Sequence, residues 1–296
     1  MATPESRARS LIAPAELTRP VGRFLHGFVL VATLIGFTLA FVFPLYWMVT
    51  GALKSSAELA DPHPSLLPST WHPESYGQAW TNVGLAGYFL NTVTLAVGAW
   101  LFQLVIDVCA AYALSKLRPV LGNVVLGMML ATLMLPVSAL LVPTYLTVVD
   151  VPLVHVNLIN TPFAIWLPAA ANAFNVFILK RFFDQVPTEL IDAARIDGAG
   201  TVRILASVIL PLSRPVLAVV SIFAVVGVWK DFLWPMLVLP DEAEQPITVA
   251  LNRLAEFMPA NQLLAGMVMA SIPLLVLFLL FQRHIISGLT AGSLKG

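Results

Sequence analysis

Three ionisable side chains stand inside long apolar stretches of this sequence, where a charge is costly to bury: Asp107, Lys230 and Asp231. Such residues usually line a solute path, relay ions or protons, or bond a neighbouring helix. Adjacent side chains on a helix point about 100° apart, so an ion pair between Lys230 and Asp231 would be strained. Asp107 could pair with Lys230 or with a partner subunit, a hypothesis motivated only by the cost of burial.

The residue types that build metal sites and nucleophilic active sites form no recognisable pattern. The histidines are scattered over separate segments, at His26, His63, His72, His155 and His284. The sequence has no Gly-rich phosphate loop, so we do not expect the chain to hydrolyse ATP. Its one cysteine, Cys109, cannot form an internal disulfide and is expected to be a small buried residue. We therefore expect no cofactor, no metal and no catalytic residue, although a site assembled from distant residues stays open.

A polar segment, residues 184–214, separates two apolar stretches and has the composition of a surface helix-turn-helix. Thr188 and Thr201 are expected to cap its two helices, and Gly198 to break the chain between them. Two adjacent alanines keep one face of the first helix thin, so that another protein can approach closely. The composition predicts a docking surface rather than an active site.

The rest of the composition predicts a membrane protein. Hydrophobic residues make up 58% of the 296 residues and charged residues 11%, and the mean hydropathy is +0.87. An ordinary soluble domain has about 25% charged residues. Six apolar stretches are each long enough to cross a bilayer, near 25–49, 86–114, 121–148, 160–183, 215–239 and 263–284. We expect a bundle of six transmembrane helices, with kinks at Pro44, Pro136, Pro143, Pro168 and Pro273.

The basic residues predict the orientation of this bundle. One side of the expected membrane holds Arg7, Arg9, Arg19, Arg23, Lys116, Arg118, Lys180, Arg181, Arg195, Arg203, Arg214, Arg283 and Lys295, and the other side holds Lys54 and Arg253. The positive-inside rule places the first side, with both termini and the polar segment, in the cytoplasm. The first apolar stretch is too long for a signal peptide, so we expect an uncleaved helix. The net charge of zero gives no case for nucleic-acid binding.

The polar segment resembles the cytoplasmic coupling loop of ABC-importer permeases, in which a Glu-Ala-Ala motif is followed by Gly and then by Leu-Pro. The matching residues here are Asp192-Ala193-Ala194, Asp197-Gly198-Ala199 and Leu210-Pro211. Further similarity points to the sugar-transport permeases of the maltose type. It lies in Asn91-Thr92 opening a helix, Ala110-Ala111-Tyr112-Ala113-Leu114 closing it, Leu135-Pro136, Val142-Pro143-Thr144-Tyr145, and the Gly-rich tail 288–296. The order of these short motifs makes the combined signal specific.

The resemblance implies an all-α integral membrane protein with the transmembrane domain of a type I ABC importer. The implied organisation is a cytoplasmic tail (1–23), a first helix with its outer loop (24–85), the five-helix transmembrane domain (86–284) with coupling loop 184–214, and a cytoplasmic tail (285–296). Residues implied to couple to an ATPase are Glu189, Asp192, Ala193, Ala194, Arg195, Asp197 and Gly198. Residues implied to line the translocation path are Asn91, Asp107, Trp229 and Asp231. The implied partners are a dimer of ABC ATPase subunits, a second homologous permease, an extracytoplasmic solute-binding protein, membrane lipid and a sugar or oligosaccharide substrate.

The outer loops would meet the binding protein in such a transporter. Residues 51–84, rich in proline and aromatic side chains, are expected to form a stiff extended connector. The later loop, 240–261, is acidic at its start and then amphipathic, a pattern that by itself predicts only a surface element.

Two other classes of function stay open at this point. The first is an ion-coupled secondary transporter that uses Asp107, Lys230 and Asp231 as a relay, and it leaves the polar segment without a purpose. The second is a membrane scaffold or receptor without transport. For Lys230 we favour a side chain that extends to the outer surface, whereas Asp231 fits a solute path and a bond to a neighbouring helix equally well.

Overall fold

The computed structural model describes residues 20–82 and 84–291, with side chains for residues 21–82 and 84–282. In these ranges the regular elements are all helical, as expected. They are α1 (Pro20–Ala52), α2 (Ser56–Leu59), α3 (Glu74–Asn82), α4 (Leu85–Leu117), α5 (Gly122–Thr132), α6 (Val137–Val149), α7 (Phe163–Ala169), α8 (Ala173–Asp184), α9 (Thr188–Ile196), α10 (Thr201–Leu212), α11 (Arg214–Trp229), α12 (Leu233–Val238), α13 (Ile247–Leu254) and α14 (Ala260–Ala291). Both α4 and α10 contain one π-helical turn, Ala113–Leu117 and Leu205–Ile209. Most of the tail 1–23 and the final residues of the Gly-rich tail lie outside the described residues.

Within the described ranges, three helices are long and apolar enough to cross a membrane alone, namely α1, α4 and α14. Three further spans are formed if each bent pair of helices is counted as one span. The pairs are α5 with α6, α7 with α8, and α10 with α11, which bend by 109°, 47° and 87° respectively. The structure therefore accommodates up to six spans, with breaks where the sequence pattern suggested continuous stretches.

The fifth span differs most from the expectation of one apolar stretch over 215–239. Helix α11 has 16 residues and ends at Trp229, which gives a length of about 24 Å, shorter than the hydrocarbon core of a bilayer. The chain then breaks at Lys230 and resumes as the short helix α12. The apolar pattern missed this break because it contains neither glycine nor proline.

Proline accounts for only some of the bends. Pro44, Pro143, Pro168 and Pro273 lie inside helices, as expected for a membrane bundle. Pro136 instead precedes the first residue of α6, at the break where α5 and α6 turn by 109°. Proline lacks a backbone N–H, so this position costs no helical hydrogen bond.

Helix α4 lies at the centre of the bundle and packs against α7, α8, α11 and α13. Its buried face includes three small residues, Ala96, Ala99 and Ala111, each no more than 1% exposed. Small side chains allow helices in a membrane to approach closely and gain van der Waals contacts. Close packing around α4 therefore holds the bundle together.

A separate apolar cluster forms the base of the polar segment. It joins Tyr112 of α4, Phe183 of α8, Ile191 of α9 and Val216 of α11, among others, and each of these side chains is no more than 5% exposed. Two further clusters lie elsewhere in the bundle, one around Leu85 and the other around Leu95. The polar segment is therefore packed onto the membrane helices rather than loosely tethered.

Helix α1 is apolar, yet none of the residues in its most hydrophobic stretch is buried. Phe24 and Phe41, for example, are 77% and 74% exposed. In water this surface would be strongly unfavourable, whereas lipid tails are as apolar as the side chains themselves. The exposure fits a helix that faces lipid or another membrane subunit.

The outer segment 51–84 is not the extended connector that its prolines suggested, because it contains the short helices α2 and α3. It is fixed by a buried cation. Lys54 is 1% exposed, donates from its Nζ to the carbonyl of Ser65, and lies 4.4 Å from the ring centroid of Trp47.

The same segment is also held by a carboxylate. Glu58 accepts hydrogen bonds from Ser65 and Ser69. The hydrogen bond from Ser65, and to a lesser extent those from Ser69, hold the pKa of the Glu58 carboxyl below its usual value.

A contact between α4 and α7 provides a test of the central packing. A Cβ atom at Gly98 would lie 2.2 Å from Cε2 of Trp166, far inside van der Waals contact. We expect Gly98→Ala to lower the free energy of unfolding by about 1–3 kcal/mol, because the indole ring has to shift. Gly87, in the same helix, has nothing within 4 Å of such a Cβ atom. Gly87→Ala is the matched control and should be neutral or slightly stabilising. Unfolding of the purified chain in detergent measures both, and equal effects would contradict the packing described.

Candidate functional site

The first helix of the polar segment, α9, spans Thr188–Ile196, and Gly198 follows its end as expected. The expected caps are wrong. Pro187 occupies the position before α9 and Gly200 the position before α10, and neither helix has a side-chain cap, so Thr188 and Thr201 are the first residues inside their helices. Proline already has the φ value that a helix start requires, and its N–H is not needed there.

Gly198 ends α9 by a specific backbone geometry. Its φ is +80°, in the left-handed region that favours glycine. Its N–H donates to the carbonyl of Arg195 at 3.0 Å, and the N–H of Ala199 donates to the carbonyl of Ala194 at 2.9 Å. This pair of bonds is the Schellman motif, which satisfies the last carbonyls of a helix. The glycine therefore sets the direction in which the chain leaves α9.

The two faces of the polar segment differ sharply in exposure. Ile191 of α9 and Ile204 of α10 point into the core and are 4% and 2% exposed. Ile196 and Val202 are 86% and 78% exposed, and Leu190 is 45% exposed. One face is thus anchored in the bundle, while aliphatic side chains on the other face are not covered by any residue in the described part of the chain.

The charged residues of α9 lie around this exposed face. Asp192 accepts from Arg195 at 3.2 Å, an intrahelical pair with both side chains more than half exposed. Glu189 and Asp197 are also exposed, as is Ala193, whereas Ala194 is half-buried against the core. The structure therefore brings the seven sequence-predicted coupling residues together on one short helix and its end, with Ala194 partly on the packed side.

The polar segment is tied to the end of α4 by hydrogen bonds that sequence reasoning missed. Ser115 Oγ donates to Asp184 Oδ1 at 2.7 Å, and Lys116 Nζ donates to the carbonyl of Val186 at 2.9 Å. Lys180 pairs with the other oxygen of Asp184 at 2.8 Å. The adjacent polar pair Ser115-Lys116 at the end of an apolar stretch was the available signal. These bonds fasten the start of the polar segment, just before α9, to the end of α4.

Asp107 has a structural partner rather than the expected ion pair. It is 1% exposed, and its Oδ1 accepts from the backbone N–H of Asn172 at 2.9 Å. Asn172 precedes α8, at the break that bends α7 and α8 by 47°. Lys230 is exposed, and no ion pair joins it to Asp107 among the described residues. The hypothesis of an Asp107–Lys230 pair is therefore wrong for this chain. Oδ1 of Asp107 satisfies the start of α8, while its buried Oδ2 has no hydrogen-bond partner among the described residues.

The remaining candidates for the translocation path also have partners within the fold. Asn91 donates from Nδ2 to the carbonyl of Gln245 at 3.1 Å, and Trp229 donates from Nε1 to the carbonyl of Ala270 at 3.1 Å. The carboxylate of Asp231 lies beside the backbone N–H groups at the start of α12. Among the described residues, no hydrogen bond joins any two of these four candidates, Asn91, Asp107, Trp229 and Asp231.

Two smaller expectations also need correction. Cys109 is exposed on the surface of α4 rather than buried. Asn91 and the neighbouring Thr92 do not open a helix, because α4 begins at Leu85. Thr92 Oγ1 instead accepts from the N–H of Ile247 at 2.8 Å. Both side chains therefore fasten the later outer loop to α4.

That outer loop folds back on the bundle. Helix α13 buries Ile247 and Leu251, which are 0% and 5% exposed. The amphipathic pattern of this loop therefore corresponds to a helix packed on the bundle. Arg253 pairs with Glu242 and donates to the hydroxyl of Tyr88 at 2.9 Å. Phe257, after the helix, is 79% exposed. The acidic start of the loop is thus fixed against α4, and an aromatic side chain is left outside.

Comparison with known proteins agrees with this architecture. Residues 103–290 match the family described as the inner membrane component of binding-protein-dependent transport systems. The chain is 31% identical over 264 residues to a probable ABC transporter permease protein, YurM, of Bacillus subtilis, covering 88% of this chain and 86% of that one. It is 31% identical over 282 residues to the sn-glycerol-3-phosphate transport system permease protein UgpE of Rhizobium meliloti, covering 92% and 97%.

A third relative is the diacetylchitobiose uptake system permease protein NgcG of Streptomyces coelicolor, 31% identical over 270 residues, with 89% of this chain and 87% of that one covered. Among solved structures, a bacterial ABC transporter involved in the import of the acidic polysaccharide alginate contains a chain of the same fold. That match has a TM-score of 0.78 at 24% identity and covers 93% of this chain and 99% of the other. With six possible spans and a family match over most of its length, this chain belongs to the inner membrane components of binding-protein-dependent transport systems, a family of multi-pass ABC-importer permeases.

Proposed function

We propose that this chain is one of two permease subunits of an ATP-driven importer and that α9 is the helix through which ATP hydrolysis drives it. The observation that carries the proposal is the two-faced polar segment. Ile191 anchors α9 in the core, while Ile196 and Leu190 are exposed at its surface. An apolar patch rimmed by charges marks a site for another protein. The ATP is hydrolysed in a separate subunit, not in this chain.

The partner on this surface is an ABC ATPase subunit. Glu189, Asp192 and Arg195 are exposed on the same short helix as Leu190 and Ile196 and supply charged groups beside these aliphatic side chains. Such an arrangement, with an apolar centre and a polar rim, is typical of protein interfaces. The pair Asp192–Arg195 is exposed, so either side chain is available to a partner at little cost.

The proposed mechanism is mechanical coupling. Two ATPase subunits close on ATP and carry α9 with them. The bonds from Ser115 and Lys116 to the start of the polar segment transmit this displacement to α4. The spans then rock between inward-open and outward-open states around a solute site. Three residues act in this process at the outer end of the bundle, where they fasten the loops and helix ends that border the translocation path. They are Asn91, Trp229 and Asp231.

The remaining partners follow from the same scheme. This chain offers one α9 surface to a pair of ATPase subunits, so a second, homologous permease supplies the other. A solute-binding protein docks on the opposite side, against the loop that Arg253 fastens and where Phe257 is exposed. Both termini lie in the cytoplasm, on the side that carries most of the basic residues.

The substrate is a sugar or oligosaccharide. Among the relatives, one is named for diacetylchitobiose and another for melibiose, raffinose and stachyose. A further group is named for sn-glycerol-3-phosphate, so this compound is the principal competing substrate.

The ion-coupled alternative receives less support. A relay needs its ionisable groups within reach of one another, whereas Asp107 binds the start of α8 and Lys230 is exposed at the end of α11. The family match and the relatives also favour the ATP-driven importer.

The docking surface is tested by Ile196→Asp. The side chain is 86% exposed, so the melting temperature of the chain should not change. Association with the ATPase subunit, measured by co-purification and titration, should weaken at least about tenfold, because a central apolar contact is replaced by a buried charge. Val154→Asp, at a residue 64% exposed in another loop, is the control and should bind the ATPase normally. Unchanged binding by the Ile196 variant would remove α9 as the docking element.

The role of Asp107 separates the two transport classes. Asp107→Asn keeps an oxygen for the N–H of Asn172, and we expect substrate uptake to continue. Asp107→Leu leaves that buried N–H without a partner and should cost about 1–3 kcal/mol of stability. Uptake by membrane vesicles with ATP, and thermal unfolding, provide the two readouts. Loss of uptake in the stable Asn variant would support an ion relay instead.

The substrate class is tested by uptake of radiolabelled solutes into cells that express the complete transporter. We expect accumulation of a di- or trisaccharide that depends on ATP and persists when the proton gradient is collapsed. Accumulation of sn-glycerol-3-phosphate alone would overturn the sugar assignment while leaving the importer mechanism intact.

A further inference from the structure

A cavity of about 460 Å³ lies beside the end of α4 that carries the polar segment. It is formed where α4 ends, the chain turns through Pro119, and α5 begins, with α8 as its third wall. The lining residues are Leu114, Ser115, Arg118, Pro119, Val120, Gly122, Asn123, Lys180 and Asp184. The proposed ATPase contacts lie on α9, so this cavity is not part of that surface.

The cavity has a positive charge that no acidic residue in its lining neutralises. Asp184 is already bound to Lys180 at 2.8 Å and to Ser115 at 2.7 Å. Arg118 has no acidic partner among the described residues. Its Nε donates to the carbonyl of Ser115 at 3.2 Å, which fixes the side chain, while its other guanidinium N–H groups stay available. The amide of the exposed Asn123 adds a further donor.

The turn that forms one side of the cavity is apolar and uncovered. Val120, in the lining, is 101% exposed, and its chain neighbours Leu121 and Leu117 are 65% and 51% exposed. They lie between the ends of the apolar helices α4 and α5, where the headgroup region of a bilayer is expected. A donor-rich cavity with an aliphatic rim fits a ligand that has an anionic head and apolar chains.

We propose that this cavity binds the headgroup of an anionic phospholipid, with the phosphodiester at Arg118 and Asn123 and the acyl chains along the exposed aliphatic residues of the rim. A planar guanidinium suits a phosphate, with which it forms paired hydrogen bonds. A basic pocket between spans at the membrane surface is a recognised type of lipid site. The lipid would brace the turn from which Ser115 and Lys116 hold the polar segment.

The experiment uses the purified full-length chain in detergent, titrated with phosphatidylglycerol and observed by native mass spectrometry. We expect at least one phosphatidylglycerol to be retained in preference to phosphatidylcholine of the same chain length. Arg118→Gln should weaken phosphatidylglycerol binding about fivefold to tenfold, since one cationic partner is lost. Arg118→Lys, which keeps the charge, should retain part of the affinity.

Arg214→Gln is the matched control, because it removes the same charge from an exposed arginine at the start of α11, outside the cavity. The control should bind the lipid like the unchanged chain. Equal losses in the two Gln variants would mean diffuse attraction only and would overturn the site. Competition by inorganic phosphate at a similar concentration would assign the cavity to a free anion. Displacement of the lipid by added ATPase subunit would assign it to the partner protein. Either result would overturn the lipid site. Asn123→Leu, at an exposed position, provides a second variant if Arg118→Gln fails to fold.

Discussion

Backbone groups within a bilayer need partners inside the protein, and in this chain α4 supplies several of them. Asp107 satisfies the N–H of Asn172 at the start of α8, and Thr92 satisfies the N–H of Ile247 at the start of α13. The indole of Trp166 in turn donates to the carbonyl of Leu95 on α4 at 3.1 Å. Because irregular backbone within a membrane needs such partners, the polar side chains of α4 stabilise the helix starts that lie beside them.

The same helix is tied to the polar segment. Its last turn is π-helical, and Ser115 in that turn donates to Asp184. Tyr112 OH lies 3.4 Å from the carbonyl of Thr201, at the start of α10. Helix α4 thus contacts the chain on both sides of α9, before its start and after its end. The position of α9 is therefore fixed by the end of α4 as well as by its own buried residue Ile191.

The sequence predicted the elements better than their boundaries and contacts. The presence of α9 and the break at Gly198 followed from composition, since glycine and charged residues act locally. The caps at Thr188 and Thr201 were wrong because Pro187 and Gly200 occupy the preceding positions. The pairing of Asp107 with Lys230 was also wrong, since burial cost predicts that a charge has a partner and does not identify it.

Amino-acid sequence alone determined that the chain is an all-helical membrane protein with up to six spans, because bilayer insertion depends on the length and composition of each stretch. It also predicted that residues 184–214 lie outside the membrane, from their polar composition and their resemblance to a coupling loop. Only the tertiary structure decided which face of α9 is exposed and what Asp107 and Thr92 hold. Those properties depend on contacts between residues far apart in the chain, and a local pattern carries no information about such distances.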